Sequence, residues 1–395
     1  MASEPGIWSV ASHRRERRLG VEIGHFLRHV DYLLLAGAGG LIACGLWILS
    51  SVTANDVPGD PTYFVDRQAI AVAIGAAVLA VLAALDPDVF RRHRMPLYLV
   101  AIALLAVVMF APEVREARRW IELGFFRLQP SELGKVLLVL VLAGFLADRA
   151  RRGREARTVA AAIGLAVAPA LLVFLEPDFG TTLVYGALLV GALYFVGTRA
   201  TYLAGLTLAG VAVASAMLWF LPENGVQVLK PYQLDRLAGF LNPDADPTGT
   251  TYNINQSITA VGSGGLDGRG VLGATQTRLD YLPEHATDFV FSSLAEQRGF
   301  LGASVLLLLY ALVVWRGIKI VALARDLFSA VAAGAIVAAF LFQVFFNVGM
   351  TIGLVPLAGI PLPFVSYGGS SMVSSLAMIG LLEAFHVRGR LAGTR

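Results

Sequence analysis

An all-α, polytopic membrane protein with about ten transmembrane helices is the architecture these 395 residues encode. Hydrophobic residues make up 56% of the chain and charged residues only 15%, against about 25% charged in a soluble globular protein. The apolar residues fall in windows of about 20, the length an α-helix needs to cross a bilayer. Lysine and arginine collect in alternate connections between those windows, the asymmetry that orients membrane proteins.

In chain order the windows are 31–51, 68–85, 96–111, 131–148, 158–175, 180–198, 203–221, 299–316, 327–350 and 368–387. The fifth and sixth are joined only by Glu176-Pro177-Asp178-Phe179, the tightest hairpin of the set. Cys44 is the only cysteine and lies inside the first window, so it has no disulfide or metal-ligand partner and reads as helix packing. Residues 1–30 form a basic N-terminal segment without a cleavable apolar leader, which makes the first window a retained span. Residues 388–395 form a short C-terminal tail.

With the N-terminus in the cytoplasm, cytoplasmic segments hold 20 of the 31 lysines and arginines, and the short outer loops hold five. The expected topology therefore has both termini cytoplasmic and residues 222–298 outside. The Arg14–Arg18 run faces anionic lipid in this reading, and no nucleic-acid partner is expected. Residues 222–298, between the seventh and eighth spans, form a connection far longer than the 12–15 residues beyond which loops are usually functional or disordered. Its apolar pieces predict a large structured extracytoplasmic loop with short helices near 233–241, 252–262 and 288–297. No repeat relates the two halves of the chain.

The loop ends in Tyr281-Leu282-Pro283-Glu284-His285-Ala286-Thr287-Asp288-Phe289, with two carboxylates and an imidazole beside a helix start. Ionisable groups at a membrane face are costly unless they act. Thr287 or Asp288 suits a helix N-cap. Asp288 also suits a base, because a carboxylate half-buried in an apolar cavity is raised from its ordinary pKa of about 3.9 toward the range that accepts a hydroxyl proton. Glu284 and His285 either tune it or are ordinary loop residues. The stretch 262–270 carries five glycines and reads either as a tight irregular turn or as an anion cradle; it lacks the strand and the Gly-Lys-Ser/Thr ending of a nucleotide site.

Three further clusters accompany this one. Arg118, Arg119, Arg127 and Lys135 surround the mouth of the fourth span, where Glu132 follows Pro130 and Ser131. Glu132 and Lys135 either pair at the membrane edge, or the cations face outward as a site for a phosphorylated lipid head. Glu176 and Asp178 either cap the next helix or hold a divalent cation. The Pro-rich run 356–371, containing Ser366, reads as a broken re-entrant segment whose backbone must be covered by protein or line a polar cavity.

These motifs, in this order, resemble one family: the SEDS proteins (shape, elongation, division and sporulation), polytopic peptidoglycan glycosyltransferases. The resemblance rests on Arg119-Trp120, Arg127 with Gln129-Pro130-Ser131-Glu132 and Lys135, Pro177-Asp178-Phe179-Gly180-Thr181, Gly262-Ser263-Gly264-Gly265, Leu282-Pro283-Glu284-His285, Thr287-Asp288-Phe289, Asn347-Val348-Gly349-Met350 and Pro361 through Ser370. It spans residues 31–387, and Asn242-Pro243 through Pro247 with Gln256-Ser257 resembles the elongation members most. Gln297 and Glu176 depart from the pattern, standing where Glu and Gln are common.

The resemblance implies a lipid II polymerase of the bacterial inner membrane, with its active site on the extracytoplasmic face. Asp288 matches the family's essential aspartate, and Arg127, Glu132, Lys135 and Asp178 match positions of its polar cavity. Arg119, Glu284 and Ser366 join them as expected substrate-binding residues. Implied with it are undecaprenyl pyrophosphate as leaving group, a divalent cation (magnesium or manganese) as cofactor, and a single-pass class B penicillin-binding protein as partner. Whether Asp288 takes a proton or holds the metal is open at this level. The alternatives are a lipid II flippase, which would require paired broken helices in related halves, or a division or sporulation member of the same family.

Overall fold

A computed structural model describes residues 28–111, 119–122, 124, 127–149, 155–216, 240 and 251–393. Helix α1 (Tyr32–Val52) leads to α2 (Tyr63–Ala84), a short α3 (Pro87–Arg92) and α4 (Arg94–Val108). A two-residue hairpin of β1 (Ile121–Glu122) and β2 (Arg127–Leu128) precedes α5 (Pro130–Ala147), α6 (Ala156–Leu175), α7 (Phe179–Phe195) and α8 (Ala200–Ser215). From residue 251 onward come α9 (Tyr252–Ser263), the single turns α10 (Gly270–Gly273) and α11 (Thr275–Arg278), then α12 (Val290–Leu323), α13 (Leu327–Thr351) and α14 (Gly369–Gly393).

Among the described residues, seven helices are long and apolar enough to cross a membrane, and α4, α7 and α8 are shorter apolar helices. These ten fall on the ten windows of the sequence. The expected helix at 252–262 is α9. The one at 288–297 is the first part of α12, which a non-helical break at Gly299 divides from the part that forms the eighth span. The one at 233–241 lies outside the described residues apart from Phe240, as do Arg14–Arg18 and Arg118.

Helix α14 is fully enclosed, with α5 and α13 next most buried, whereas α1, α2, α6 and α12 turn much of their surface outward. That outward surface is apolar, as at Leu171, Leu208 and Leu308, and suits lipid. Helix α14 packs along α2, α13 along α7, and α12 along α1 and α13.

Buried polar groups close the interior at one end of the bundle. Arg316 donates from Nε and Nη2 to Asp31 Oδ2 at 2.8 and 2.5 Å, and the Asp31 amide donates to Glu383 Oε2 at 3.0 Å. Arg91 and Arg94 meet Asp148 at this same end, and Arg325 meets Asp88. The motifs singled out in the sequence gather at the other end.

The chain breaks helix geometry twice there. At Gly299, φ is 63° and ψ −161° inside α12, a region open essentially to glycine alone. A Cβ at Gly299 would meet Gly268 N and Leu266 O at 2.4 Å. The amides that the break frees at Phe300 and Leu301 donate to Gly265 O and Leu266 O, while the Arg269 amide donates to Glu296 O. The Gly-rich stretch 262–270 is therefore a main-chain splint for the α12 kink. The tight-turn reading holds for it: the Gly265 and Leu266 carbonyls and the Arg269 amide serve the kink.

The second break is 352–368, the re-entrant segment. It is covered by protein as expected, with Leu362 through Ser366 buried. Gly180 at the start of α7 lets it approach closely, since a Cβ there would lie 2.3 Å from Ala358 O.

Candidate active site on the Asp288 loop

Asp288 is half-buried and stands one residue before Phe289, which occupies the N-cap position of α12. Phe289 makes no side-chain cap hydrogen bond, and neither Thr287 nor Asp288 occupies the N-cap position considered for them. The Thr287 hydroxyl instead donates to Glu284 Oε2 at 2.8 Å. Glu284, with φ of 52°, turns the chain so that its carbonyl accepts from the amides of Thr287 and Phe289 at 3.1 and 3.2 Å. Glu284 thus shapes the turn that presents Asp288.

The main chain on either side of Asp288 is tied down from three elements. Asn347 of α13 donates from Nδ2 to Asp288 O at 3.0 Å and to Ile360 O at 2.8 Å. Ser366 of the re-entrant segment donates to Thr287 O at 2.6 Å and accepts from the Leu362 amide at 2.9 Å. The Tyr367 amide donates to Ala286 O at 2.8 Å. Ser293 of α12 donates to His285 O at 3.1 Å. Ser366 was expected to bind substrate; its hydroxyl is placed to hold the Asp288 loop.

The cationic mouth is built by β2 and the start of α5. Arg127 is exposed, its guanidinium 3.3 Å from an equally exposed Glu122. Exposed pairs of this kind contribute about 0–1 kcal/mol, which leaves Arg127 ready to exchange its partner for a phosphate. Its carbonyl and the Gln129 amide share the Ser370 hydroxyl of α14, at 2.9 and 2.8 Å.

Lys135 does not face outward. Its Nζ lies 2.8 Å from Glu132 Oε1, and the two side chains are 3% and 2% exposed. Ser374 of α14 donates to Glu132 Oε2 at 2.7 Å. Pro130 and Glu132 in its first turn suit the positive end of α5. The ion-pair reading of Glu132 and Lys135 is the observed one.

The short α6–α7 turn forms the remaining wall. Asp178 caps α7, accepting from the Thr181 amide at 3.1 Å through Oδ1 and from Gln129 Nε2 at 2.9 Å through Oδ2. Arg119 donates from Nε to Glu176 O at 3.0 Å and from Nη2 to Pro177 O, bracing the turn by its main chain. Glu176 is 1% exposed, and neither carboxylate oxygen has a hydrogen-bond partner. Burial, reinforced by the charge of Asp178 and opposed by Arg119, pushes its carboxyl up to about 8.

Two anchors were not read from the sequence. Glu296 is fully buried and accepts from the amides of Gln276 and Thr277 and from the Thr277 hydroxyl, at 2.9, 3.0 and 2.6 Å. Asn347 stands in the sequence only as part of the motif Asn347-Val348-Gly349-Met350. Its main-chain partners at positions 288 and 360 leave no local trace.

Residues 30–390 match the FtsW/RodA/SpoVE family, described as cell cycle protein. The peptidoglycan glycosyltransferase MrdB of Escherichia coli strain K12 is 35% identical over 364 residues, covering 92% of this chain and 95% of that protein. A solved chain from work on the structural coordination of polymerization and crosslinking by a peptidoglycan synthase complex superposes with a TM-score of 0.76 at 29% identity, covering 91% of this chain and 98% of its own. The rod shape determining protein RodA of Thermus thermophilus superposes with a TM-score of 0.65 at 27% identity, covering 90% and 96%. The chain, a multi-pass membrane protein by its helices and its relatives, therefore belongs to the SEDS family of FtsW, RodA and SpoVE.

Proposed function

We propose that this protein polymerises lipid II into glycan strands for cell elongation, with Asp288 as general base. The carrying observation is the fixed, half-buried placement of Asp288 among main-chain ties from α12, α13 and the re-entrant segment. A base must be held within reach of the proton it removes. Similarity to MrdB and to RodA over nine-tenths of the chain supports both the peptidoglycan glycosyltransferase activity and its elongation branch.

The reaction joins two glycans. The Asp288 carboxylate accepts the proton of the GlcNAc 4-hydroxyl of the incoming lipid II. That oxygen forms a bond to the anomeric carbon of the growing strand's MurNAc. The bond from that carbon to the phosphate oxygen breaks, and undecaprenyl pyrophosphate leaves with the electron pair. Arg127 meets the leaving pyrophosphate, where fixed cations beside low-dielectric surroundings act most strongly. Arg119 supports this through the turn it braces, and Lys135 through the buried pair that fixes the first turn of α5.

A divalent cation, magnesium or manganese, fits the α6–α7 turn, because Glu176 keeps both carboxylate oxygens without hydrogen-bond partners beside Asp178. When bound there, it would be held by Glu176 and Asp178 and would neutralise pyrophosphate charge.

The basic end of the bundle, with Arg91, Arg94, Arg316 and Arg325, supports a cytoplasmic assignment for that end. The Asp288 end then faces outward in the bacterial inner membrane, with both termini inside. The match to a chain of a peptidoglycan synthase complex supports a class B penicillin-binding protein as partner. The test is Asp288→Ala in a polymerisation assay with purified full-length protein and lipid II. Loss of polymer is expected, and unchanged yield would overturn the proposal.

A further inference from the structure

Asp56, Asp280 and His285 take no part in the chemistry assigned above. Asp56 lies in the connection between α1 and α2, while Asp280 and His285 belong to the segment that delivers Asp288. One ligand atom from each of the three lies within 4.8 Å of the others. His285 is 9% exposed. Its Nδ1 lies 3.1 Å from Leu282 O and its Nε2 lies 3.3 Å from Asp56 Oδ2.

A carbonyl oxygen can only accept, so Nδ1 carries a hydrogen and donates to Leu282. Nε2 is then the nitrogen that faces the two aspartates. In the neutral ring Nε2 presents a lone pair, and a lone pair aimed at carboxylates is repelled unless positive charge lies between them. A backbone carbonyl that holds the remote ring nitrogen is the usual outer support of a metal-binding histidine. One imidazole with two carboxylates is also a donor set that suits zinc and manganese. Metal–ligand distances of about 2.0–2.2 Å require only a small closing movement from the present spread, and Asp280 is exposed and able to make it.

We propose that Asp56, Asp280 and His285 form a site for a divalent transition-metal ion, manganese or zinc. The ion clasps the segment carrying Asp288 to the connection after α1. Its ligands come from places 229 positions apart in the chain, so binding adds a restraint on the loop to the ties made by Asn347 and Ser366. It carries no step of the reaction, and it shares no residue with the cation fitted at the α6–α7 turn. The site stands whether or not Asp288 is the base.

The test uses the full chain in detergent, stripped with a chelator and titrated with Mn²⁺ in the absence of lipid substrate, read by electron paramagnetic resonance. One nitrogen-coupled Mn²⁺ per chain is expected in the pulsed spectrum, displaced by Zn²⁺; an ion held by the carboxylates of Glu176 and Asp178 would show no such coupling. His285→Ala should abolish the nitrogen coupling, and Asp280→Asn, at an exposed position that spares the fold, should weaken binding at least tenfold. Glu176→Gln and Asp288→Asn should both leave the nitrogen-coupled signal unchanged, which separates this site from the ion fitted at the α6–α7 turn and from any ion on Asp288. Absence of stoichiometric Mn²⁺ binding, binding without nitrogen coupling, or binding indifferent to His285→Ala and Asp280→Asn would overturn the proposal. His285 and Asp56 would then be a simple ion pair.

Discussion

Asn347 holds Asp288 by its backbone: one side-chain amide donates to Asp288 O at 3.0 Å and to Ile360 O at 2.8 Å. Two non-helical segments, the loop before α12 and the re-entrant run before α14, are thereby joined through α13. Such carbonyls lie where unsatisfied backbone groups are expensive. The same residue that satisfies them fixes the position of the proposed base.

Asn347→Ala is expected to leave both carbonyls without that donor. A buried acceptor deprived of its partner costs about 1–3 kcal/mol, and a base displaced by about 1 Å can lose about 100-fold in rate. Thermal unfolding in detergent should fall by several degrees. The polymerisation rate should fall much further than lipid II binding, a split that general destabilisation would not produce.

Glu176 makes stability pH-dependent with a known sign. Its carboxyl is near 8 in the fold and near 4.5 when unfolded, so the folded protein binds the extra proton between those values. Stability from this group is complete below about pH 4.5 and is lost progressively as pH rises to about 8. Glu176→Gln removes the titration and keeps the shape. It should flatten the unfolding-temperature profile between pH 5 and about 8 and raise the midpoint at the alkaline end. A profile identical to wild type would contradict the buried, unpartnered placement of Glu176.

Much of this architecture was legible in the sequence. Bilayer thickness sets the length of an apolar run, so ten windows located ten helices to within a few residues. The two parts of α12 meet at Gly299, where the eighth window begins, and α14 runs on to Gly393 through most of the expected C-terminal tail. The site was legible as separate clusters: Thr287-Asp288-Phe289, Gln129 through Lys135, and Glu176-Pro177-Asp178. Their connections were not. Ser366 meets Thr287 across 79 positions, and His285 meets Asp56 across 229; neither partner has a spacing that a local pattern can show. The direction of Lys135 was equally hidden, because i,i+3 spacing from Glu132 allows a pair at the surface as readily as one in the core.

Gly299→Ala tests the kink. The substitution places a Cβ within 2.4 Å of two backbone atoms at a φ of 63°. A loss of about 2–4 kcal/mol is expected from strain and displacement together, read as reduced thermal stability and faster proteolysis near residues 262–270. A fully stable variant would show that the Gly-rich stretch does not splint α12.

The Glu132–Lys135 pair predicts an asymmetry between single and double variants. Lys135→Ala leaves an uncompensated carboxylate in the bundle, a change that costs about 3–5 kcal/mol at buried sites. Replacing both with Gln and Met should restore most of the lost stability. Arg127→Ala, at an exposed position, should leave stability within about 0.5 kcal/mol and weaken retention of undecaprenyl pyrophosphate. Equal destabilisation by single and double variants would remove the structural role given to the pair.

The central claim is that Asp288 removes a proton and does not serve merely to bind. Purified full-length wild type and Asp288→Asn, which keeps shape and hydrogen-bonding capacity, should be compared for lipid II binding and for single-turnover formation of the new glycosidic bond. Binding within about threefold of wild type, with turnover reduced by at least about 100-fold, is the predicted result, in line with the 10²–10⁴ that a positioned acid or base contributes. Turnover that survives in Asp288→Asn, or is lost only in proportion to binding, would contradict it.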